Sequence, residues 1–348
     1  MTKYKVVSFV LSEVPRLKKG DILETGVAKS APPYSGAIVP AQFIASQTYF
    51  DLQGHSASLT LKTHEPDILL AEVSFEVQDI FADEIFTLKE HAIDEAIAAL
   101  KKKGAKNTDK FSEEYTVYVM YDYEGSIDEN FLAHKNKIAS LLKSEQLKLD
   151  ENEIQYTLSS SIKYEHNDLV MVDWDGAFIY SPKNDFDATI KLFQLANAQL
   201  LQYRLLDRAL DQRFDTAIKL VKKLPERPNL FKALFRAKDL DKGFKEVISL
   251  HAQSISDFED LDRDVKLIGD WYSARLYELL VKKFKLEDWR RAIKDKLESL
   301  EDVYTIASEN LGISRAQILE LIQIWLFFIL QIGWFALIIL EFLYFTRK

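Results

Sequence analysis

The sequence contains no cysteine in its 348 residues. Disulfide bonds and thiolate chemistry are therefore excluded, and the composition fits a reducing compartment. Positively charged residues are fewer than negatively charged ones. The sequence has 45 Lys and Arg and 54 Asp and Glu, which gives a net charge of −9. Because nucleic-acid binding depends on clustered Lys and Arg, this balance argues against a nucleic-acid partner.

Four common motifs for metal, nucleotide or hydrolase chemistry do not occur in the sequence. The six histidines show no metal-ligand spacing, and HExxH, the phosphate-binding P-loop, GxGxxG and GxSxG are all missing. We therefore expect neither a metal nor another cofactor. The apolar run from Val6 to Leu11 is too short for a signal-peptide core. We expect the bulk of the chain to be cytoplasmic.

A long apolar run near the C-terminus is the clearest feature that the sequence does contain. Leu321–Leu340 carries no formal charge. About 20 apolar residues in a helix cross the roughly 30 Å hydrocarbon core of a bilayer, whereas a buried core helix is rarely so long and so uniformly apolar. The sequence therefore predicts a single-pass, tail-anchored protein with its transmembrane helix within residues 313–348 and the lipid bilayer as a partner.

Gln323 and Gln331 are the polar residues inside this apolar run, and Glu341 directly follows it. Gln323 and Glu341 are five helical turns apart and share one face, and Gln331 is rotated from them by roughly 80°. Polar groups are costly in lipid and tend to face protein or water. We predict that these residues associate membrane helices in a homo-oligomer, with an interfacial position as the alternative for Glu341.

Residues 1–181 read as an α+β head domain. Runs rich in Val, Ile, Tyr and Phe predict strands, and apolar residues at helical spacing predict two helices, Leu88–Lys103 and Asp128–Lys143. The predicted strands are Tyr4–Leu11, Ala57–Leu61, Ile68–Val77, Tyr115–Tyr121 and Asp168–Tyr180. We expect a largely antiparallel sheet with helices on one face, and a surface through which protein partners bind.

Residues 184–311 read as an all-α stalk or bundle. Phe186, Ile190, Phe193 and Leu200 fit one helical stripe, with Asn197 as its polar member. A later heptad-like seam leads directly into the anchor. Its members are Ile293, Leu297, Leu300, Tyr304, Ala307 and Leu311. Such a seam forms either the core of an intramolecular bundle or an intermolecular coiled coil, and the sequence leaves both open.

The segment VMVDWDGAFI, Val170–Ile179, carries the only catalytic candidates. An apolar strand followed by Asp-x-Asp-Gly resembles the first motif of haloacid-dehalogenase-like phosphatases. That resemblance implies Asp173 as the nucleophile and Asp175 as the general acid. Against it, Ala177 stands where Thr or Val is usual, and only helices follow. The favoured interpretation is a hairpin, in which Asp173→Asn costs about 1 kcal/mol or less, as for most surface changes.

A second resemblance concerns residues 168–345. Gly269-Asp270-Trp271, Trp289-Arg290-Arg291 and Leu319–Leu326 before the span are similar to the family named for meiotic nuclear division. That resemblance implies a membrane-anchored, self-associating organiser and no catalytic residues. Together these patterns predict a self-associating membrane scaffold or assembly protein. The alternatives are a membrane-anchored enzyme with Asp173 and Asp175, and an accessory subunit of a transport complex.

Overall fold

The computed structural model describes residues 2–14, 23–24, 43–64, 68–106, 108, 110–123, 125–163, 165, 167–222, 245, 248–249, 252–259 and 271–346. Within these ranges, residues 306–318 and a few others are described by their backbone alone.

Nine strands form one sheet in the described chain. They are β1 Lys3–Glu13, β2 Leu23–Glu24, β3 Phe43–Leu52, β4 His55–His64, β5 Ile68–Val77, β6 Ser112–Tyr121, β7 Ser161–Ile162, β8 Leu169–Val172 and β9 Gly176–Ser181. Their order across the sheet is β2-β3-β4-β5-β1-β6-β9-β8-β7. Neighbours are antiparallel except β6 and β9, whose parallel register begins at Thr116 opposite Gly176.

The helices are α1 Glu84–Lys102, α2 Ile127–Lys143, α3 Glu151–Ser159, α4 Asp187–Lys222, α5 Trp271–Lys283 and α6 Leu286–Thr346, and residues 252–259 are helical as well. Ser126 caps α2 by accepting a hydrogen bond from the Asp128 amide, and Ser144 ends that helix with a left-handed backbone at φ 55°. The mixed α+β architecture and the helical predictions for α1 and α2 are confirmed. The strand β3 and the helix α3 were not predicted.

Helices cover both faces of the sheet, so the expectation of helices on one face is wrong. On one face, α1 and α2 bury Val6, Val10 and their neighbours in a large apolar core. On the other face, Tyr115 of β6 contacts Phe193 of α4 and Phe284 after α5, with ring centroids 5.7 and 5.6 Å apart. The central strands β1 and β6 are buried almost without alternation, which is typical of a sheet covered on both faces.

Two compact units make up the chain. The first comprises Met1–Asp207 and Glu259–Ala292, and the second comprises Arg208–Phe258 and Ile293–Lys348. The sequence placed the change of domain near residue 182, whereas the first part of α4 and all of α5 group with the sheet. The predicted boundaries 1–181, 184–311 and 313–348 are therefore not those of the compact units, and the independence of a helical stalk stays a prediction.

The second unit contains the apolar C-terminal helix that the sequence predicted. Within α6, Ile322–Tyr344 has a mean hydropathy of 2.3 and is long and apolar enough to cross a membrane. Elsewhere in this unit, Ala217 of α4 and Leu300 of α6 are buried together, with Phe214, Val303 and Tyr304 packed around them. Lys296 and Asp211 add an ion pair of 2.6 Å.

Candidate functional site: a polar cavity beside the β8–β9 turn

The turn between β8 and β9 contains both catalytic candidates. The Asp173 amide donates to the Gly176 carbonyl at 2.8 Å, and β8 pairs antiparallel with β9, so the predicted hairpin is confirmed. Gly176 is required at its position by close packing. A methyl group there would lie 2.8 Å from the backbone oxygen of Thr116 on the adjacent strand. The hairpin thus fits closely against β6.

Asp173 is buried, which the hairpin interpretation did not anticipate. Its residue exposure is 3%. Lys283 Nζ lies 2.8 Å from Oδ1, and Lys143 Nζ lies 3.4 Å from Oδ2. The amide of Trp174 also donates to Oδ1 at 2.8 Å. This carboxylate therefore ties the hairpin to the end of α2 and the end of α5.

The two lysines have further partners that hold them in place. Lys143 pairs with Glu153 at 2.7 Å, and both ammonium groups lie over the Tyr156 ring, 5.9 Å and 5.1 Å from its centroid. Burial alone would lower the pKa of Lys143, but the hydrogen bonds and charges of Glu153 and Asp173 together raise it. An attacking carboxylate needs an open face toward its substrate, and Asp173 is instead held in an ion-paired network.

A cavity of about 390 Å³ lies beside this turn. It forms because β9 begins opposite Thr116, so the first residues of β6 have no β9 neighbour. Helices α1 and α4 wall the resulting gap. The lining residues are Lys89, Ile93, Ser112, Glu113, Glu114, Tyr115, Ser144, Trp174, Asp175, Asn197 and Leu200. The arrangement combines one exposed aromatic ring with charged and amide groups from four elements or turns.

Burial opposes the ionisation of three groups of the cavity wall, namely Asp175, Lys89 and Glu113. Burial raises the pKa of Asp175, against the effect of the Lys89 charge. Burial likewise lowers the pKa of Lys89, whose ammonium donates to the Ser144 hydroxyl. The pKa of Glu113 is raised by burial although the Arg204 guanidinium pairs with it. Groups perturbed in this way inside a cleft are typical of functional sites.

Sequence reasoning named Asp175 but missed most of this cavity. Lys89 and Ser112 look like ordinary surface residues of a helix and a strand, and no local pattern joins them to residue 175. Asn197 did carry a signal, because it is the polar member of an otherwise apolar stripe. It is 2% exposed, and its amide nitrogen donates to the Phe193 carbonyl at 2.9 Å.

The other predicted site residues lie in the second unit. Gln323, Gln331 and Glu341 are exposed on α6, as is every described side chain from Ile322 to Tyr344. Of the seam, Ile293 and Leu300 are buried at 0% and 1% exposure, and Leu297 at 9%. Tyr304 packs beside Leu300. The side chains of Ala307 and Leu311 lie outside the described residues.

Comparison with known proteins assigns the family. A Methanocaldococcus jannaschii protein, uncharacterized protein MJ0711, is 33% identical over 258 residues, which are 74% of this chain and 75% of that protein. The chain belongs to the MJ0711 family. The family described as the MJ0711 N-terminal domain matches residues 41–187. No solved structure matches the chain.

This membership corrects the resemblance to the meiotic nuclear division family. The family match covers residues 41–187, mostly in the N-terminal half where that resemblance found nothing, and it shares only residues 168–187 with the range 168–345. The motifs behind it were short runs around Trp271 and Trp289 and an apolar segment before the span, which many unrelated proteins share. The MJ0711 match also covers every residue of the cavity wall except Asn197 and Leu200.

Proposed function

We propose that this chain is a tail-anchored membrane scaffold or assembly protein that self-associates through its C-terminal helix. The proposal is supported by the exposure of that helix. No part of the apolar segment Ile322–Tyr344 is buried by the rest of the described chain. Exposing so much apolar surface to water is costly, and a bilayer removes that cost.

Polar groups on the same segment support association between copies. Gln323 and Gln331 lie where lipid offers no hydrogen-bond partner, and such groups between membrane helices contribute roughly 0.6–2 kcal/mol each. Glu341 lies near the last turn of α6, where it reaches either a neighbouring helix or the membrane interface. A second copy of the same helix supplies matching donors and acceptors.

The stalk seam contributes less to this proposal than the sequence suggested. Leu300 packs against Ala217 of α4 in the same chain, and Ile293 and Leu297 are also covered. These side chains are thus already occupied within one protomer. We therefore place self-association on the membrane helix and keep the intermolecular coiled coil as the alternative.

The orientation of the protein is part of the proposal. The apolar run Val6–Leu11 forms the middle of β1 and is buried in the sheet, so it serves the fold and not export. We place the α+β unit on the cytoplasmic side, where its surface is available to protein partners.

The enzyme alternative draws less support from the structure. The phosphatase interpretation requires Asp173 as a nucleophile, yet this carboxylate is buried and bound by Lys143 and Lys283. In a transport subunit, the polar residues of the span would contact the helices of another protein. Such a subunit would not form a defined homo-oligomer by itself.

The test is the size of the detergent-solubilised protein, measured by light scattering. We expect a defined homo-oligomer that is weakened when Gln323→Leu and Gln331→Leu are combined. The matched control is Phe328→Leu with Ile332→Leu, which changes apolar residues roughly 140° and 180° around the same helix from Gln323. A monomer that remains monomeric at all concentrations would refute self-association. A chain ending at Leu311 that still sediments with membranes would refute the anchor.

A further inference from the structure

We propose that the cavity beside the β8–β9 turn binds a small organic cation that carries a primary ammonium or guanidinium group. This inference concerns the first compact unit and goes beyond the membrane role. The cavity volume of about 390 Å³ lies at the lower end of the usual range for small-molecule sites, about 300–1,000 Å³. A single amine-bearing molecule of modest size fits such a volume.

The balance of charge in the wall favours a cation. Glu113, Glu114 and Asp175 contribute three negative charges, and Lys89 contributes one positive charge. Arg204 is paired with Glu113 and neutralises it. Two carboxylates then remain against one ammonium, so the cavity keeps one uncompensated negative charge. An incoming cation restores neutrality, whereas an anion would add to the imbalance.

Asn197 adds a hydrogen-bond acceptor to the cavity wall. The residue lines the cavity and is 2% exposed. Its amide nitrogen donates to the Phe193 carbonyl at 2.9 Å, which leaves the amide oxygen as the atom that can accept from a ligand. A side-chain amide oxygen accepts hydrogen bonds from donor groups such as ammonium and guanidinium. An ammonium group carries three donors and a guanidinium five.

Trp174 supplies the third element of a cation site. The residue is 45% exposed, although its backbone amide donates a hydrogen bond to the Asp173 carboxylate. Edge-on contact with Phe284, at 5.9 Å between centroids, orients the ring. Cations bind to the faces of Trp rings more strongly than to those of Tyr or Phe. The ring and the carboxylate of Asp175 are adjacent in the chain and line one cavity.

Lys89 does not convert the cavity into an anion site. Its ammonium is already committed to the Ser144 hydroxyl, and it lies in the field of Asp175, Glu114 and Glu90. A carboxylate ligand that approached Lys89 would meet these groups as well. Lys89 instead compensates one of the carboxylates, so a single bound cation is enough to neutralise the cavity.

The experiment is calorimetric titration of the full-length protein in detergent with putrescine, 1,4-diaminobutane. We expect saturable binding of putrescine and none of 1,4-butanediol, which has the same length and no charge. Succinate, the anionic counterpart, should not bind. Saturable binding of succinate, or equal binding of diamine and diol, would overturn the proposal.

Variants assign the binding to this cavity. Asp175→Asn should weaken putrescine binding about tenfold, which corresponds to about 1.4 kcal/mol for one lost charge contact. Asp94→Asn removes an exposed carboxylate of α1 outside the cavity and should leave the affinity unchanged. Equal losses in both variants would show non-specific attraction to an acidic protein. Glu114→Gln tests a second carboxylate of the cavity wall, and an unchanged affinity in that variant would refute the site.

Discussion

Replacing Asp173 with Asn tests whether this residue is a buried ion-pair partner that links the hairpin to two helices, or a solvated turn residue. The substitution keeps the shape of the side chain and removes its charge. Lys143 keeps its ion pair with Glu153 at 2.7 Å, so the substitution removes only one of its two carboxylate partners. Lys283, with a side chain only 12% exposed, keeps the Ser160 hydroxyl at 3.3 Å and the Tyr156 ring. It therefore loses the only carboxylate that the described structure places within ion-pair distance.

The magnitude follows from the burial of that pair. Removing one partner of a buried ion pair costs about 3–5 kcal/mol, because the other charge stays behind without compensation. Partial exposure of Lys283 lets water reach it, so we expect a cost near the lower end, about 3 kcal/mol. In a unit of this size, that cost lowers Tm by roughly 6–12 °C.

The assay is thermal and denaturant unfolding of the detergent-solubilised protein, followed by tryptophan fluorescence. A double-mutant cycle with Lys283→Met isolates the pair, and the double variant should recover much of the loss. A cost below about 1 kcal/mol, the value for an exposed residue, would show that Asp173 is solvated and that the network is not as described. Mg²⁺-dependent hydrolysis of a phosphate ester that disappears in Asp173→Asn would instead restore the phosphatase interpretation.

Three further predictions follow from the same structure. Gly176→Ala places a methyl group 2.8 Å from the Thr116 oxygen and should cost about 1–3 kcal/mol, measured by denaturant unfolding; an unchanged midpoint would contradict the close packing. Burial raises the pKa of Asp175, so its ionisation at neutral pH opposes folding. Asp175→Asn should therefore raise Tm at neutral pH, and the gain should shrink as the pH falls through the raised pKa, since the folded state then binds the proton. A gain in Tm that grows as the pH falls would contradict the raised pKa of Asp175. Protease added outside sealed cells should leave the α+β unit intact, and its digestion there would reverse the proposed orientation.

Local sequence was sufficient for the features that depend on neighbouring residues alone. The apolar segment of α6 is evident from composition, because crossing a bilayer requires only length and low polarity. Helices α1 and α2 follow from apolar spacing, and the β8–β9 hairpin follows from Asp175-Gly176 between two apolar runs. Strand β3 was missed because Ser46, Gln47 and Thr48 interrupt its apolar character.

Only the tertiary structure decided the burial of Asp173 and the existence of the cavity. Lys143 and Lys283 are 140 residues apart in the sequence, and no local pattern brings both to one carboxylate. The cavity likewise depends on where β9 begins beside β6 and on helices packing from both faces of the sheet. Strand register and helix packing are set by contacts between distant segments, so charge, burial and open space at Asp173, Asp175 and Asn197 emerge only once the chain is folded.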